Sequence, residues 1–248
     1  MNRQVLLGVE SLKKYYPIRS GLLSTVTDYV KALDGIDLTI YGGETLGLVG
    51  ESGCGKSTLG RQILRLEDPT EGAVYYNGDN IMTYNKHMMR RLRRDMQIVF
   101  QDPYSSLNYR RTIGESIGEP FIVHDIFTDR REREQKVEEL LRQVGLRPEH
   151  SGRYPHEFSG GQRQRIVIAR ALALNPKFLV CDEPVSALDV STQGQILLLL
   201  QQLQSQLKLT YLFISHDLSV VAYISKRVAV MYLGRIVEIS DSHLIYSH

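Results

Sequence analysis

The chain has 248 residues, of which 42% are hydrophobic and 23% are charged, and its formal net charge is +2. This composition is that of an ordinary globular protein with a sizeable core, and the near-neutral charge gives no support for binding to nucleic acid or to an anionic membrane surface. Two cysteines, Cys54 and Cys181, are too few for a disulfide framework. We find no signal peptide and no run near the roughly 18 apolar residues of a membrane-spanning helix.

The first third of the chain predicts strands around a glycine-rich loop. Strands are expected at Val5–Leu12, Ala32–Ile40 and Thr45–Val49. The third strand leads directly into the glycine-rich loop, and Thr58–Leu66 predicts a helix. A strand, a glycine loop and a helix in this order form the context in which a phosphate-binding motif is credible.

The middle third predicts helices. A basic block at Arg90, Arg91, Arg93 and Arg94 is typical of a solvated helix face. An apolar stripe at helical spacing predicts a helix over Asp129–Val144, with Thr128 as its cap and Gly145 as its end. We therefore predict that residues 103–165 form a helical subdomain, inserted into an α/β core made of residues 1–102 and 166–248.

The last third predicts alternating strands and helices. Strands are expected at Phe178–Cys181, Thr210–Ile214 and Val228–Met231. The helices expected between them are one capped by Ser191 and one at Leu218–Ile224. This alternation predicts an α/β fold with a mostly parallel sheet covered by helices on both faces, beside an antiparallel N-terminal part.

The glycine-rich loop GESGCGKST fits the pattern of a phosphate-binding loop. Its glycines let successive backbone N–H groups point at one anion, together with the positive end of the following helix. The residue types predict that Lys56 reaches the β- and γ-phosphates of ATP and that Ser57 binds Mg²⁺. The residues expected to contact the nucleotide here are Gly50, Ser52, Gly53, Cys54, Gly55, Lys56, Ser57 and Thr58.

The segment FLVCDEP supplies two acids at the end of an apolar strand. Asp182 is placed to hold Mg²⁺, and Glu183 is placed to polarise the attacking water as a general base. The alternative is that both are ordinary surface acids at a strand end. The phosphate loop favours the catalytic interpretation, because phosphoryl transfer needs these parts together.

A second glycine-bearing helix start follows at Ser159, Gly160, Gly161 and Gln162, before a helix expected near Arg163. Such a site can bind an anion, and it would complete a nucleotide bound to another copy of the chain. By spacing alone, a simple helix cap with Ser159 as the capping residue is the better explanation.

In the order of these motifs the chain resembles the ATP-binding-cassette ATPases over nearly its whole length. The matching segments are GESGCGKST, VFQDP, FSGGQ, FLVCDEP, SALD and ISHD, and the first residue of FSGGQ is more often leucine in that family. The resemblance implies that ATP and Mg²⁺ bind between two cassettes facing head to tail. The phosphate loop of one would then meet Ser159–Gln162 of the other.

The resemblance also implies roles for residues that spacing alone does not single out. Gln101 would lie near Mg²⁺ or the attacking water, and His216 would donate a hydrogen bond to the γ-phosphate. Asp189 matches the aspartate loop of the family and is expected near the nucleotide. The adenine would stack on Tyr16, with Tyr15 as a live alternative.

Two longer segments are similar to the dipeptide, oligopeptide and nickel importer subfamily, Pro17–Ile36 and Gln101–Pro120. That subfamily usually has proline where Tyr109 stands. Its members commonly continue past the last strands, so the resemblance leads us to expect either a short member or a truncated one. The resemblance implies an ATPase subunit of such an importer. The alternatives are an exporter or lipid-extraction complex, a soluble cassette ATPase acting on translation, repair or cluster assembly, and a non-hydrolysing regulatory domain.

The expected partners follow from the importer interpretation. They are a second ATPase subunit, alike or different, transmembrane permease subunits and, indirectly, an extracytoplasmic solute-binding protein; no nucleic acid is expected. The location implied is the cytoplasmic face of the cell membrane. The Gln101–Pro120 surface is expected to meet the membrane subunit.

Overall fold

The computed structural model describes residues 4–20 and 24–245. Within them the chain divides into two compact units. The first unit consists of the residues up to Met89 and from Thr210 onward, and the second unit is Arg90–Leu209. The predicted limits of the helical subdomain at residues 103 and 165 stay a prediction, because this division by compactness falls at other positions.

The described residues form ten strands and nine α-helices. The strands are β1 (Val5–Ser20), β2 (Thr25–Tyr41), β3 (Thr45–Val49), β4 (Glu71–Tyr76), β5 (Asp79–Asn80), β6 (Met96–Val99), β7 (Phe178–Asp182), β8 (Thr210–Ile214), β9 (Arg227–Tyr232) and β10 (Arg235–Asp241). The helices are α1 (Lys56–Ile63), α2 (Lys86–Asp95), α3 (Pro103–Ser106), α4 (Ile113–Val123), α5 (Arg130–Gln143), α6 (Gly160–Leu172), α7 (Val190–Leu207), α8 (Leu218–Ile224) and α9 (Ser242–Ile245). Over this part of the chain, no helix combines the length and apolar character that crossing a bilayer requires.

The first unit contains an antiparallel sheet and a parallel group of strands. The antiparallel sheet has the order β2-β1-β4-β5. In the parallel group β3 pairs with β8 and with β9, which also pairs antiparallel with β10. Every residue of β3 is buried, and a Cβ on its Gly47 would lie 2.2 Å from the Val221 Cγ1 atom of α8. Glycine at this position therefore lets α8 pack closely on the strand.

The second unit contains one parallel strand pair and most of the helices. β6 pairs with β7, so that Val99 lies opposite Cys181 near the ends of both strands. α4 begins with a capping box, in which the Thr112 side chain accepts from the Glu115 amide and the Glu115 carboxylate accepts from the Thr112 amide. Such a box satisfies backbone donors at the start of the helix and fixes where it begins.

Most of the predicted elements are confirmed, including the mixed α/β fold and the antiparallel N-terminal part. β3, β8 and α8 have the predicted bounds, whereas the first two strands extend far beyond theirs into a long hairpin. The four arginines of the basic block are exposed on α2, as predicted. Strands β4, β5, β6 and β10 were missed; β6 has only four residues and follows a strongly basic helix directly.

Two predicted helix caps are wrong. α5 begins after Asp129 rather than Thr128, because the Arg133 side chain holds the Phe127 and Thr128 carbonyls and keeps Thr128 in the preceding segment. α7 is capped by Asp189 rather than Ser191. The Asp189 carboxylate accepts the amide hydrogen of Thr192, which places Ser191 inside the first turn.

Candidate functional site

Three glycines of the loop after β3 have backbone angles that side-chain-bearing residues avoid. The φ angles are 155° at Gly50, 81° at Gly53 and 111° at Gly55. A Cβ on Gly50 would lie 2.1 Å from the Met231 carbonyl oxygen, and one on Gly55 would lie 2.2 Å from the Ala32 carbonyl oxygen. The loop conformation therefore depends on glycine both for its angles and for space against the neighbouring backbone.

Lys56, the first residue of α1, is folded into this loop and is only 4% exposed. Its Nζ atom donates to the carbonyl oxygens of Gly50 at 2.7 Å and Glu51 at 2.8 Å. A buried ammonium group thus lies at a helix N-terminus, where the backbone N–H groups also carry partial positive charge. Ser57 and Thr58 occupy the same first turn. This arrangement suits a phosphate group.

The two candidate tyrosines of β1 have different neighbours. The Tyr16 hydroxyl donates to Glu67 Oε2 at 2.8 Å, and the Thr58 side chain of α1 lies close enough to oppose the rise in its pKa. Burial and then the Glu67 bond raise the pKa of Tyr16. Tyr15 instead bonds the Asp34 carboxylate, and this bond, together with one from Arg235, lowers the pKa of Asp34 to about 2. Tyr16 is therefore the tyrosine linked to the helix that begins at the phosphate loop.

His216 follows the strand that neighbours the phosphate-loop strand. β8 ends at Ile214, and the Ser215 amide donates to the Leu48 carbonyl at 3.1 Å. His216 is exposed immediately beyond. Because β3 and β8 are parallel, their carboxyl ends meet at one edge of the sheet. The structure thus places His216 and the loop starting at Gly50 at the same edge within the first unit.

Gln101 and Glu183 meet within the second unit. Gln101 lies just beyond the end of β6 and Glu183 just beyond the end of β7, and Gln101 Nε2 donates to Glu183 Oε2 at 2.8 Å. Asp182, the last residue of β7, is 4% exposed. Glu183 has a φ of 48°, which is costly for a residue with a side chain. Strain of this kind is concentrated at functional positions.

Ser159–Gln162 form the start of α6 and pack beside the Asp189 loop. Ser159 caps the helix in a reciprocal capping box with Gln162. A Cβ on Gly161 would lie 2.3 Å from Thr192 Cγ2, and the Thr192 hydroxyl donates to Asp189 Oδ2 at 2.8 Å. The Ser191 hydroxyl, with the Thr192 amide and hydroxyl, lowers the pKa of Asp189 to about 2. Thr192 therefore joins the two motifs, a role that the sequence signals only as a capping pattern three residues after Asp189.

The candidate metal ligands are divided between the units. Ser57 belongs to the first unit, whereas Gln101 and Asp182 belong to the second. Across residues 4–20 and 24–245 there is no group of three His, Cys, Asp or Glu side chains that could hold a metal ion by itself. Mg²⁺ in nucleotide-binding proteins is held by one or two protein oxygens together with phosphates and water, and the hydroxyl and carboxylate groups of these candidates are of the chemical types that it prefers.

A glycine-rich loop that follows a buried parallel strand and places a buried lysine at the start of a helix defines a P-loop nucleoside triphosphatase. The chain belongs to the ABC transporter family, whose model matches residues 33–186. Members of this family are ATPases, and the similar cassette MJ0796 has been solved as a dimer. Another similar cassette, cbiO1 of Clostridium perfringens, is part of the ABC transporter complex cbiONQ; it is 27% identical, with a TM-score of 0.85 over 99% of this chain and 92% of that one. The predicted ATPase activity and ATP as its nucleotide are thereby confirmed.

Individual relatives extend this similarity over the whole chain. It is 55% identical over 248 residues to the oligopeptide transport ATP-binding protein AppF of Bacillus subtilis, covering 100% of this chain and 75% of that protein. It is 55% identical over 241 residues to the glutathione import ATP-binding protein GsiA of Pectobacterium atrosepticum, covering 97% of this chain and 38% of that protein. A solved dimer of the ATP-binding cassette MJ0796 with ADP and Pi is 30% identical, with a TM-score of 0.83 over 96% of this chain and 99% of that one.

Proposed function

We propose that this chain is the ATP-hydrolysing subunit of a membrane importer for oligopeptides. The observation that carries the proposal is the 55% identity to an oligopeptide transport ATP-binding protein along the full length of this chain. The relative named for glutathione import supports the same substrate class, because glutathione is itself a short peptide. A peptide importer therefore explains both similarities.

The residues of the first unit are suited to holding the nucleotide. Lys56 and the loop amides would bind the β- and γ-phosphates, and the Tyr16 ring would stack on the base. His216 would donate a hydrogen bond to the terminal phosphate from the same sheet edge. Ser57 would hold Mg²⁺ with Asp182, and the ion would neutralise phosphate charge.

The residues of the second unit are suited to the hydrolytic step. Glu183 would accept a proton from the attacking water, and Gln101 would hold the Glu183 carboxylate in position through the hydrogen bond between their side chains. Nine other non-glycine residues of the described chain share the positive φ of Glu183, so the hydrogen bond to Gln101 and the position at the strand end carry this assignment.

The site would be completed by a second cassette. Ser159–Gln162 of one subunit would contact the nucleotide on the phosphate loop of the other, in a head-to-tail dimer. The solved dimer of a similar cassette with ADP and Pi supports this arrangement. Permease subunits would contact the pair at the cytoplasmic face of the membrane, and a solute-binding protein would deliver the peptide from outside.

The hydrolytic role is tested by Glu183→Gln. The variant should still bind ATP but hydrolyse it at least ~100-fold more slowly, because the general base is lost. The exposed Glu149 provides a matched control, and Glu149→Gln should keep the turnover of the native chain in a phosphate-release assay. Unchanged turnover in Glu183→Gln would remove Glu183 from its role.

The peptide class is tested by uptake in cells whose own copy of this chain has been deleted. Uptake of labelled tripeptides should be lost, restored by the native chain and not restored by Glu183→Gln. Uptake of ⁶³Ni²⁺ in the same cells should stay unchanged. Restoration of nickel uptake without any effect on tripeptides would contradict the proposal.

The dimer is tested by Ser159→Arg. A large cation at this helix start should block ATP-dependent dimer formation in size-exclusion chromatography while the monomer still binds ATP. If ATP binding is lost as well, Ser159 does not act across the dimer.

A further inference from the structure

The short helix α3, which follows Gln101 by one residue, is held by two arginines of α6. Arg163 Nη2 donates to the Tyr104 hydroxyl, and Arg170 Nη1 donates to the Ser106 carbonyl. Both arginines lie on the helix that Ser159 caps. The segment after Gln101 is therefore attached directly to the helix that begins with the Ser159–Gln162 motif.

Tyr104 provides contacts that help to compensate the buried positive charge of the Arg163 guanidinium group. Arg163 is 8% exposed, and its Cζ atom lies 3.9 Å from the centre of the Tyr104 ring. Its Nη1 atom makes a long 3.4 Å bond to the Pro155 carbonyl, and its Nε atom has no hydrogen-bond partner among the residues that the structure describes. Tyr104 thus supplies both the aromatic face and a close hydrogen bond to this guanidinium group, which favours one fixed geometry.

The other side of Tyr104 is tied to the glutamine segment. The Asp102 carboxylate accepts from the backbone amides of Tyr104 at 2.8 Å and Ser105 at 3.2 Å. The Tyr104 amide is the main cause of the lowered pKa of Asp102. Asp102 is adjacent to Gln101, so the backbone position of Gln101 is linked through one capped turn to the Tyr104 side chain.

We propose that Tyr104 and Arg163 are positioning residues, which keep Gln101 at a fixed distance from the start of α6. A displacement of the Ser159–Gln162 helix start would then move Gln101, and with it the hydrogen bond to Glu183. Neither residue is among those proposed to bind the nucleotide or to activate the water. This inference rests on the proposed function, because it assigns to the pair the coupling between the dimer contact and the hydrolytic group.

The test compares Tyr104→Leu with Tyr104→Phe in steady-state ATP hydrolysis. Tyr104→Leu removes the ring and the hydroxyl, so kcat should fall about tenfold while KM for ATP stays within about twofold. Tyr104→Phe keeps the ring face and should lose about threefold. Tyr223 is a matched control, since it is 52% exposed against 50% for Tyr104, and Tyr223→Leu should keep native kcat.

A double-mutant cycle with Arg163→Met separates coupling from general damage. If the two side chains act through each other, the double variant Tyr104→Leu/Arg163→Met should be no slower than the slower single variant. The inference would be overturned if the kcat losses of the two single variants multiply in the double variant. It would also be overturned if Tyr104→Leu keeps the native kcat, whether or not its KM for ATP rises.

Hydrogen exchange gives a readout that does not depend on turnover. In Tyr104→Leu the amides of residues 104–106 and 160–163 should exchange faster together, whereas Tyr223→Leu should leave both segments unchanged. Faster exchange in only one of the two segments would overturn the inference. Absence of ATP hydrolysis by the native chain with its partner subunits would instead contradict the proposed function. The exchange result would still show whether residues 104–106 and 160–163 are structurally coupled.

Discussion

The phosphate loop of the first unit and the Gln101–Glu183 group of the second unit are fixed in different ways. The loop owes its shape to the backbone, because Gly50 and Gly55 face neighbouring carbonyl oxygens at distances that no side chain could share. The Gln101–Glu183 group is fixed by side chains, through one 2.8 Å hydrogen bond and a set of capped helix starts. The first region should therefore tolerate substitution less well than the second.

The largest effect is expected where an added side chain would clash with a backbone atom. Gly55→Ala places a Cβ against the Ala32 carbonyl at a φ of 111°, whereas Gly53→Ala at a φ of 81° meets nothing within 4 Å. Gly55→Ala should lower the free energy of unfolding by about 3 kcal/mol and abolish ATP binding, and Gly53→Ala should cost only about 1–2 kcal/mol. Urea unfolding and calorimetric titration with ATP measure both. Equal losses of stability in the two variants would show that backbone strain, and not a steric clash, determines the cost of the substitution.

Lys56→Ala tests the charge inside the same loop. It should weaken ATP binding by about 10–100-fold, because charge-assisted hydrogen bonds to phosphate are lost. Lys86 is exposed at the start of α2 and serves as the control, so Lys86→Ala should bind ATP as tightly as the native chain. Equilibrium dialysis with labelled ATP is a direct measurement. Tight binding by Lys56→Ala would contradict the assignment of the loop.

A smaller effect is expected where the added methyl group would clash with a side chain, because a second substitution can remove that clash. Gly161→Ala directs a methyl group at Thr192 Cγ2, so it should cost about 1–2 kcal/mol of stability and slow hydrolysis. Thr192→Ser removes that methyl group and keeps the hydroxyl that bonds Asp189. The double variant should therefore regain the lost stability in thermal unfolding. If Thr192→Ser gives no rescue, the Gly161 position is limited by something other than Thr192.

The smallest effect concerns the Asp189 cap and carries a pH dependence. Asp189→Ala should lower the melting temperature by about 2–4 °C at pH 7, since the cap of α7 is lost. The pKa of Asp189 is lowered to about 2 in the folded chain, below the usual value near 3.9. Its contribution is thus fully present above about pH 4 and is lost as the pH falls toward 2. If the difference in melting temperature between the native chain and Asp189→Ala grows below pH 4, the predicted pH dependence is wrong.

The sequence predicts the first region better than the second. Gly50, Gly53 and Gly55 act through their own backbone angles, and such a local requirement is visible in the motif itself. Their conformations agree with the prediction that this loop cradles phosphate. Likewise β3 and β8 are short apolar runs, and their bounds follow from composition alone.

The second region depends on contacts between residues far apart in the chain. Nothing in the spacing pairs Gln101 with Glu183, 82 residues away, or Tyr104 with Arg163, 59 residues away. The family resemblance pointed to Gln101, but Tyr104, Arg163 and Thr192 were missed. The misplaced cap of α7 has the same origin, since Ser191 and Asp189 are both good capping residues and only the bonds made by Thr192 distinguish them.

At Glu183 the left-handed backbone favours glycine, whereas the proposed catalytic role requires a carboxylate. A glycine there would relieve the strain and would be expected to make the fold more stable, yet it would remove the carboxylate. Under the proposed catalytic role, the fold therefore gives up some stability at this position in exchange for the carboxylate that hydrolysis needs.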